Sequence, residues 1–378
     1  MKTEQPGIAI VLNGLYVGGA EKFGISLANR FAASGIRSHI VLFREMESPL
    51  RNQIDARVTL ISIRRKSKYD FIKHREFDAE MVSRNIDRVI IIGLLPLFLT
   101  RVFRWGRKMP YRSFLSLHST IPASKAIYLQ NLFFLRFAKK QDQVMFICKA
   151  QQEFYRKQYY FNPAQQVVIY NGVDTDWYNP TGYLPPKNIR KELEIPEGDP
   201  VILLVATLRP EKGHADAIQA LRELHQQYPT WNKTHLLCLG GGPEKYIQQL
   251  KHQAAEQHLN NFVHFAGNQT DVRPYQSAST LFTLTSFSVE TFSIAALEAM
   301  SFGLPASLTR IGGAAEMIQE GINGSLSEPR NPASIAASWH RILQNPPQPE
   351  LVRQQVQQHF SLNGMFNAYD ALIQSKQA

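Results

Sequence analysis

The stretch SFSVETFSIAALEAMSFGLP, residues 286–305, decides how the second half of this chain is read. It follows LFTLT (281–285), a β-branched apolar run of the kind that forms a buried parallel strand, and it passes into an apolar helix closed by Gly303 and Pro305. The pattern is strand, loop, helix. Between Thr291 and Leu304 one side chain is charged, Glu298, and a carboxylate among Ile294, Ala295, Ala296, Leu297 and Met300 is costly to bury without hydrogen-bond partners. A polar ligand would supply them. Glu290, eight residues earlier, stands at the mouth of the helix, where unpaired N–H groups and the positive end of the dipole favour an anion. If the helix reaches back that far, ~1.5 Å per residue puts the two acids about 12 Å apart along its axis. That spacing suits a long ligand with hydroxyls at both ends and negative charge between them, as in a nucleotide sugar. A capping Glu beside a second Glu salt-bridged to a neighbouring element is the other reading of the same spacing.

The chain has 378 residues, enough for two domains with separate cores. With 44% hydrophobic residues, and 22 Gly and 21 Pro spread throughout, it reads as a globular α/β protein. Cys148 and Cys238 both lie in or beside apolar strand-like runs, which argues against a disulfide framework or a zinc site and for a reducing, cytoplasmic compartment. The opening MKTEQPGIAIVL lacks the basic-then-apolar pattern of a leader, and the longest apolar run, 89–99, is short and interrupted by Gly93 and Pro96. Net charge is +11, unevenly divided: residues 1–180 carry 27 Lys+Arg against 14 Asp+Glu, and the remainder 15 against 17. The basic residues are dispersed among aromatics and form no nucleic-acid-binding motif, so no nucleic-acid partner is expected. RVFRWGRKMPYR (101–112) and LFFLRFAKK (132–140) read as a surface meeting anionic lipid or a phosphorylated acceptor, or else as a solvated basic face over core aromatics.

Along the chain, IAIVL (8–12) is a continuous apolar run typical of buried parallel strands. NGLYVGGAE (13–21) leads into a helix with Phe23, Leu27, Ala28 and Phe31 on one face, ended at Ser34-Gly35. Gly18 and Gly19 sit where missing side chains let N–H groups approach a phosphate, or simply make a tight turn. The pattern is not GxGxxG. Further strands follow at 39–43, 89–92, 114–117 and 144–147, the third of these ending beside His118, at a carboxyl end where open α/β sheets place their sites. Asp174 and Asp176 form a DxD, but they occupy an Asn-Gly turn before Trp177 and Asn179-Pro180 without further ligand-type residues, so no metal is assigned. The Pro-rich, charged stretch 183–200 marks the domain boundary. Then the pattern restarts: VILLV (201–205), the loop ATLRPEKG (206–213), a helix over 215–226, a strand at 235–239 running into Gly240-Gly241-Gly242-Pro243, a strand at 262–267, and Asp271 as a helix N-cap. Arg209 and Lys212 in such a loop suit a diphosphate, the first as a bidentate donor and the second as a point charge, or else are surface charges.

The order of these features is more telling than any one of them. TLRPEKGH, GGGPE, the 264–305 segment and IGGAAEMIQEGINGSL together resemble the C-terminal domain of retaining glycosyltransferases of the GT-B fold, family 4. Glu290 and Glu298, with seven residues between them, match that family's E-x7-E motif, while NGVDTDWYNP and the GGAE loop match its N-terminal half. The resemblance implies an α/β GT-B architecture of two facing Rossmann-like domains with a cleft between them. Its expected parts are an acceptor-binding domain over 1–182, a nucleotide-sugar-binding domain over 183–361, and a last helix within 362–378 crossing back to the first domain. It implies that Glu298 holds the donor ribose, that Glu290 contacts the donor sugar, and that backbone N–H groups of Phe292, Ser293 and Ile294 meet the phosphates. Lys212 matches the family's phosphate-binding lysine, Gly241 falls among the donor contacts, Gly18 and Gly19 approach the diphosphate, and His118 lines the sugar site. Three positions depart from the family pattern: Thr207 stands where Arg is common, with Arg209 offset by two; Ser293 replaces a usual Gly; and Ser119 follows His118 where an acid is frequent.

The implied chemistry is transfer of a hexosyl group from a nucleotide diphosphate sugar, a UDP-sugar being favoured, to a hydroxyl of a glycan or glycolipid acceptor, with retained configuration. No cofactor or metal is expected. Lys212, Arg209 and the helix start would stabilise the leaving diphosphate. Catalytic roles fall on His118, Glu290 and Lys212. A nucleotide-sugar epimerase or a soluble sugar-phosphate synthase would keep the same fold, and a catalytically silent partner would be expected to lose Glu298 or Lys212, both present. An NAD-dependent oxidoreductase would show GxGxxG after the first strand. Contact with an anionic membrane through the basic first domain, on the cytoplasmic face, completes the expectation.

Overall fold

A computed structural model describes residues 6–16, 18–67, 70, 73–102, 108–122, 124–288 and 290–375. The chain divides into two compact units, Met1–Ile169 with Ala368–Ala378, and Tyr170–Asn367. Each is built on one wholly parallel sheet.

In the first unit seven strands run β1 (Gly7–Leu12), β2 (Ser38–Leu42), β3 (Thr59–Ser62), β4 (Ile86–Ile92), β5 (Arg112–Leu117), β6 (Gln143–Phe146) and β7 (Gln166–Val168), in the order β3-β2-β1-β4-β5-β6-β7. Ala9 is in register with His39 on one side and Val89 on the other. All six residues of β1 are buried, which is why a continuous apolar run marks this strand: helices cover both faces. The Gly19–Ala33 helix buries Phe23, Leu27, Ala28 and Phe31, the face its spacing indicates. Sequence reading passes over β3 and β7 for a physical reason. They are edge strands; β3 buries only Ile61 and β7 buries nothing fully.

One member of the basic 101–112 segment has a structural task. Arg101 is buried and its guanidinium meets Asp142 at 2.5 and 2.9 Å, while Asp142 also accepts from the Ser113 hydroxyl and the Lys139 N–H. This arginine is therefore not part of any outward basic surface, because a buried charge requires a paired and hydrogen-bonded setting. Residues 103–107 of that segment lie outside the described residues.

The second unit carries β8 (Val201–Val205), β9 (His235–Leu239), β10 (Val263–Phe265), β11 (Leu281–Leu284), β12 (Ala306–Thr309) and β13 (Gly324–Ser327), in the order β10-β9-β8-β11-β12-β13. The chain fills one side of β8 first and then returns to its other side at β11. That reversal makes a topological switch point, and the crevice outside the carboxyl ends of β8 and β11 is where such sheets bind ligands. The core beneath is closed by the helices His214–Gln227 and Pro332–Gln344, the latter burying Trp339 completely with its indole N–H on Thr283 Oγ1 at 3.0 Å. The helix after β11 spans Ile294–Ser301 and stops at Gly303, whose φ of 93° lets the Leu304 N–H turn back to the Ala299 carbonyl.

Candidate active site

The loops that leave β8 and β11 are stitched to one another. Gly213 adopts φ 72°, and a Cβ there would meet the Thr285 carbonyl oxygen at 2.0 Å, so only glycine permits the approach. Across it the buried Thr285 hydroxyl lies 2.8 Å from the Gly213 carbonyl and 3.2 Å from that of Lys212, and the Phe287 N–H donates to the Glu211 carbonyl at 3.1 Å. These contacts carry Lys212 to Glu290: Nζ lies 2.9 Å from Oε2, with about a fifth of each side chain exposed. The cation and the carboxylate singled out in the sequence thus form a pair at the switch point.

Glu290 is not on the helix. The helix begins at Ile294, so the expected axial spacing to Glu298 does not apply; Glu290 is carried by a loop, braced by the 311–313 turn. There Gly312, at φ 53°, would bring a Cβ within 2.2 Å of the Glu290 carbonyl oxygen, and the Gly313 N–H donates to the Thr291 carbonyl at 2.7 Å. Ser293, where the family pattern favours glycine, is the N-cap: its Oγ accepts from the Ala296 N–H at 3.2 Å. Phe292 is buried against Tyr170, ring centroids 5.3 Å apart, and the Tyr170 hydroxyl donates to Glu316 at 2.9 Å. Phe292, Ser293 and Ile294 are thereby held at a helix start, the element that presents N–H donors to anions.

Glu298, on the second turn, is hydrogen-bonded with the Tyr178 hydroxyl; burial, and then the charge of Glu298, raises the Tyr178 pKa. Tyr178 was not singled out in the sequence. It belongs to the 171–180 segment, whose place is set by Arg353: one guanidinium donates to the carbonyls of Thr175 at 2.6 Å, Tyr178 at 2.7 Å and Ser301 at 2.5 Å. The signal available for Tyr178 was an aromatic hydroxyl in a segment that already matched the family. The DxD is a turn, with Asp174 Oδ1 accepting the N–H groups of Asp176 and Trp177 at 3.0 and 2.9 Å. Among the described residues no group of three or more His, Cys, Asp or Glu is placed to hold a metal ion.

Of the other residues singled out, Gly241 lies on the loop after β9, its carbonyl accepting the Leu208 N–H at 2.8 Å, and Gly242 lets that loop pass against the Leu208 backbone. Arg209 precedes the short 210–212 turn and is exposed. Asp271 sits one residue before the N-cap of the Arg273–Ser277 helix and pairs with Arg273 at 2.7 Å. In the first unit Gly18 is the N-cap and Gly19 the first residue of their helix. His118 follows β5 directly. The buried Gln151 amide clamps the carbonyls on either side of it, Leu117 and Ser119, each at 3.0 Å. The His118 Nε2 is 2.9 Å from Ser116 Oγ, which reaches the Tyr369 hydroxyl at 3.3 Å, and the His118 ring packs 4.5 Å from Phe23. Burial pushes the His118 pKa down to about 4, so near neutrality the imidazole exchanges hydrogen bonds rather than carrying charge.

Two family models match the chain: Glycosyltransferase Family 4 over residues 17–177 and Glycosyl transferases group 1 over residues 186–359. An uncharacterized glycosyltransferase of Methanocaldococcus jannaschii is 29% identical over 177 residues, 47% of this chain and 44% of that protein. The D-inositol 3-phosphate glycosyltransferase of Corynebacterium glutamicum is 27% identical over 185 residues, 48% and 44%. The match thus spans a little under half the length of these curated relatives. Among solved structures, Anabaena HepE in complex with UDP-glucose superposes with a TM-score of 0.80 at 20% identity, covering 98% of this chain and 100% of the other, a likeness that shows the GT-B fold. With one model over each half and that fold throughout, this chain belongs to the group 1 glycosyltransferases of family 4.

Proposed function

We propose that the chain is a retaining glycosyltransferase that moves a sugar from a nucleotide diphosphate sugar, a UDP-sugar first, to a hydroxyl of a membrane-associated glycolipid or a growing cell-surface polysaccharide. The observation that carries this is the Lys212–Glu290 pair at the switch point, with Glu298 on the helix behind it. A diphosphate entering the crevice competes for Lys212 and releases Glu290 to accept from sugar hydroxyls. Glu298 then exchanges its Tyr178 bond for the ribose. Lys212, Arg209 and the N–H groups opening at Phe292 take up charge as the bond from the anomeric carbon to the diphosphate breaks. The acceptor oxygen bonds to that carbon on the same face, and its proton passes to a phosphate oxygen. Gly18, Gly19, Gly241 and His118 keep the donor-contacting roles their family positions imply. HepE binds UDP and UDP-glucose, which favours a uridine donor here.

For the acceptor side, the Lys125–Leu135 helix supports a lipid setting. It exposes Leu129 and Phe133 by 63% and 48%, in line with exposed Lys125 and Arg136. Between Asp87 and Asp142 the sequence holds ten Lys or Arg and no acid, although Arg101 is buried on Asp142 and takes no part in a surface. Exposed apolar side chains flanked by Lys125 and Arg136 suit an anionic bilayer surface. No helix among the described residues is long and apolar enough to cross a membrane.

The test is nucleotide release from UDP-, GDP- and ADP-sugars, with and without lipid extract, and with EDTA in parallel. Release from one donor that persists in EDTA and rises with lipid is expected. Lys212→Ala should lower turnover about 10²–10³-fold with the fold intact. Turnover near that of the unmodified chain would remove Lys212 from the mechanism, and a folded chain that releases nucleotide from no donor would overturn the reading.

A further inference from the structure

Arginines cluster at the carboxyl edge of the first sheet, outside the residues matched to donor binding. The loops that follow β2 and β3 line an open cavity of about 620 Å³ whose wall includes Arg44, Arg51, Arg64 and Arg65 together with Glu45 and Glu47. Four guanidiniums against two carboxylates leave a surplus of two positive charges. Within that balance Glu45 is already paired with Arg64. Arg65 is anchored from behind, its Nε donating to the Asp70 carbonyl at 3.0 Å. Burial lowers the Arg65 pKa from its ordinary value, Asp70 opposes that, and the charge of Arg44 adds to it. The cavity also joins the glycine loop that leaves β1. The Arg44 N–H donates to the Asn13 carbonyl at 2.8 Å and its guanidinium to the Tyr16 hydroxyl at 3.1 Å, two residues before Gly18.

We infer that this cavity receives the phosphate monoester of a phosphorylated acceptor. Three features select that group. A monoester dianion matches the surplus of two charges, where a single carboxylate would leave one uncompensated. Guanidiniums present paired N–H donors that fit phosphate oxygens bidentately. The volume falls within the ~300–1,000 Å³ of small-molecule sites, so it has room for the body that carries the phosphate as well as the phosphate itself. It lies outside the carboxyl ends of β2 and β3, on the edge of the sheet that also carries the loop after β1. The assignment as acceptor rests on the transferase reading above; the phosphate selectivity rests on the cavity alone.

Calorimetric titration of the full chain tests it, with glucose 6-phosphate as a soluble phosphate, dihexanoyl phosphatidic acid as a lipid headgroup, glucose as the uncharged arm, and UDP in parallel. At least one phosphate ligand is expected to bind and glucose not to. Arg51→Ala and Arg64→Ala, both at exposed positions, should each weaken that binding about ten-fold while leaving UDP affinity and the circular dichroism spectrum unchanged. Lys212→Ala should do the opposite. Whichever phosphate ligand binds more tightly identifies the source. Failure of both to bind the unmodified chain, or equal binding in the arginine variants, overturns the inference; failure of UDP alone would count against the transferase reading and leave the phosphate site standing.

Discussion

The two parallel sheets end in carboxyl edges made in different ways. In the second unit the edge is made of interlocked backbone: Gly213 and Gly312 each bring one loop within about van der Waals contact of another loop's carbonyl, where a single added carbon would lie 2.0 and 2.2 Å from it. In the first unit Gly19 and Gly93 have nothing within 4 Å of an added Cβ and one at Gly14 would stop 3.1 Å from the Arg44 carbonyl, so the edge relies more on long side chains, the four arginines of the cavity and His118 with its Ser116 and Tyr369 partners. A backbone-built edge holds a common ligand and tolerates little change. An edge built of side chains can be respecified residue by residue, which fits the division of donor and acceptor proposed above.

Four experiments break or sharpen that contrast. The largest expected effect lies in the first unit's core: Asp142→Ala strands the buried Arg101 and should cost about 3–5 kcal/mol, read as a lowered urea midpoint. Gly213→Ala should cost roughly 2–4 kcal/mol and abolish nucleotide binding, because positive φ and the Thr285 carbonyl both oppose the methyl group. Gly19→Ala should change stability by no more than about 1 kcal/mol, toward greater stability if either way. Equal costs at the two glycines would erase the proposed difference between the edges. Next, Tyr178→Phe removes the hydrogen bond with Glu298 and should cost about 1 kcal/mol in stability, with a larger loss in donor affinity if Glu298 takes the ribose. Unchanged donor affinity would separate Tyr178 from the site.

The last experiment reads a slope with pH and compares the units. His39 and His118 in the first, and His214 and His264 in the second, all have pKa values lowered to about 4, with burial the first cause at each. The unfolded chain takes up these protons near pH 6.5 and the folded chain only near 4. The stability they contribute is therefore complete above about pH 6.5 and is lost progressively as pH falls toward 4. Urea midpoints at pH 7.5 and 5.0 check the sign: the midpoint should be lower at 5.0, and His118→Gln should flatten the slope.

Much of this was legible from the residues because the central strands are buried on both faces and so read as unbroken apolar runs. β3 and β7, at an edge, left no such trace. The site was legible where sequence neighbours share an element, as Ser293 to Glu298 do. It was illegible where the chain returns from far away: Arg353 reaching Thr175, or Arg44 lining one cavity with Arg64, follows from tertiary placement and from no local pattern. The helix does not reach back to Glu290 because Ser293 caps it, and a serine followed by Ile-Ala-Ala-Leu is the start signal that could have placed the boundary there.

Trp177 has a use that has nothing to do with catalysis. Its indole lies under the Arg273 guanidinium at 3.6 Å and remains 53% exposed, one residue from Tyr178. Trp339, by contrast, is sealed in the core, and Trp231 is hydrogen-bonded to His340 at 3.1 Å. Among the three described tryptophans Trp177 is therefore the exposed indole beside the Glu298 partner, and donor occupancy is expected to change its emission, a change that Trp177→Phe should remove.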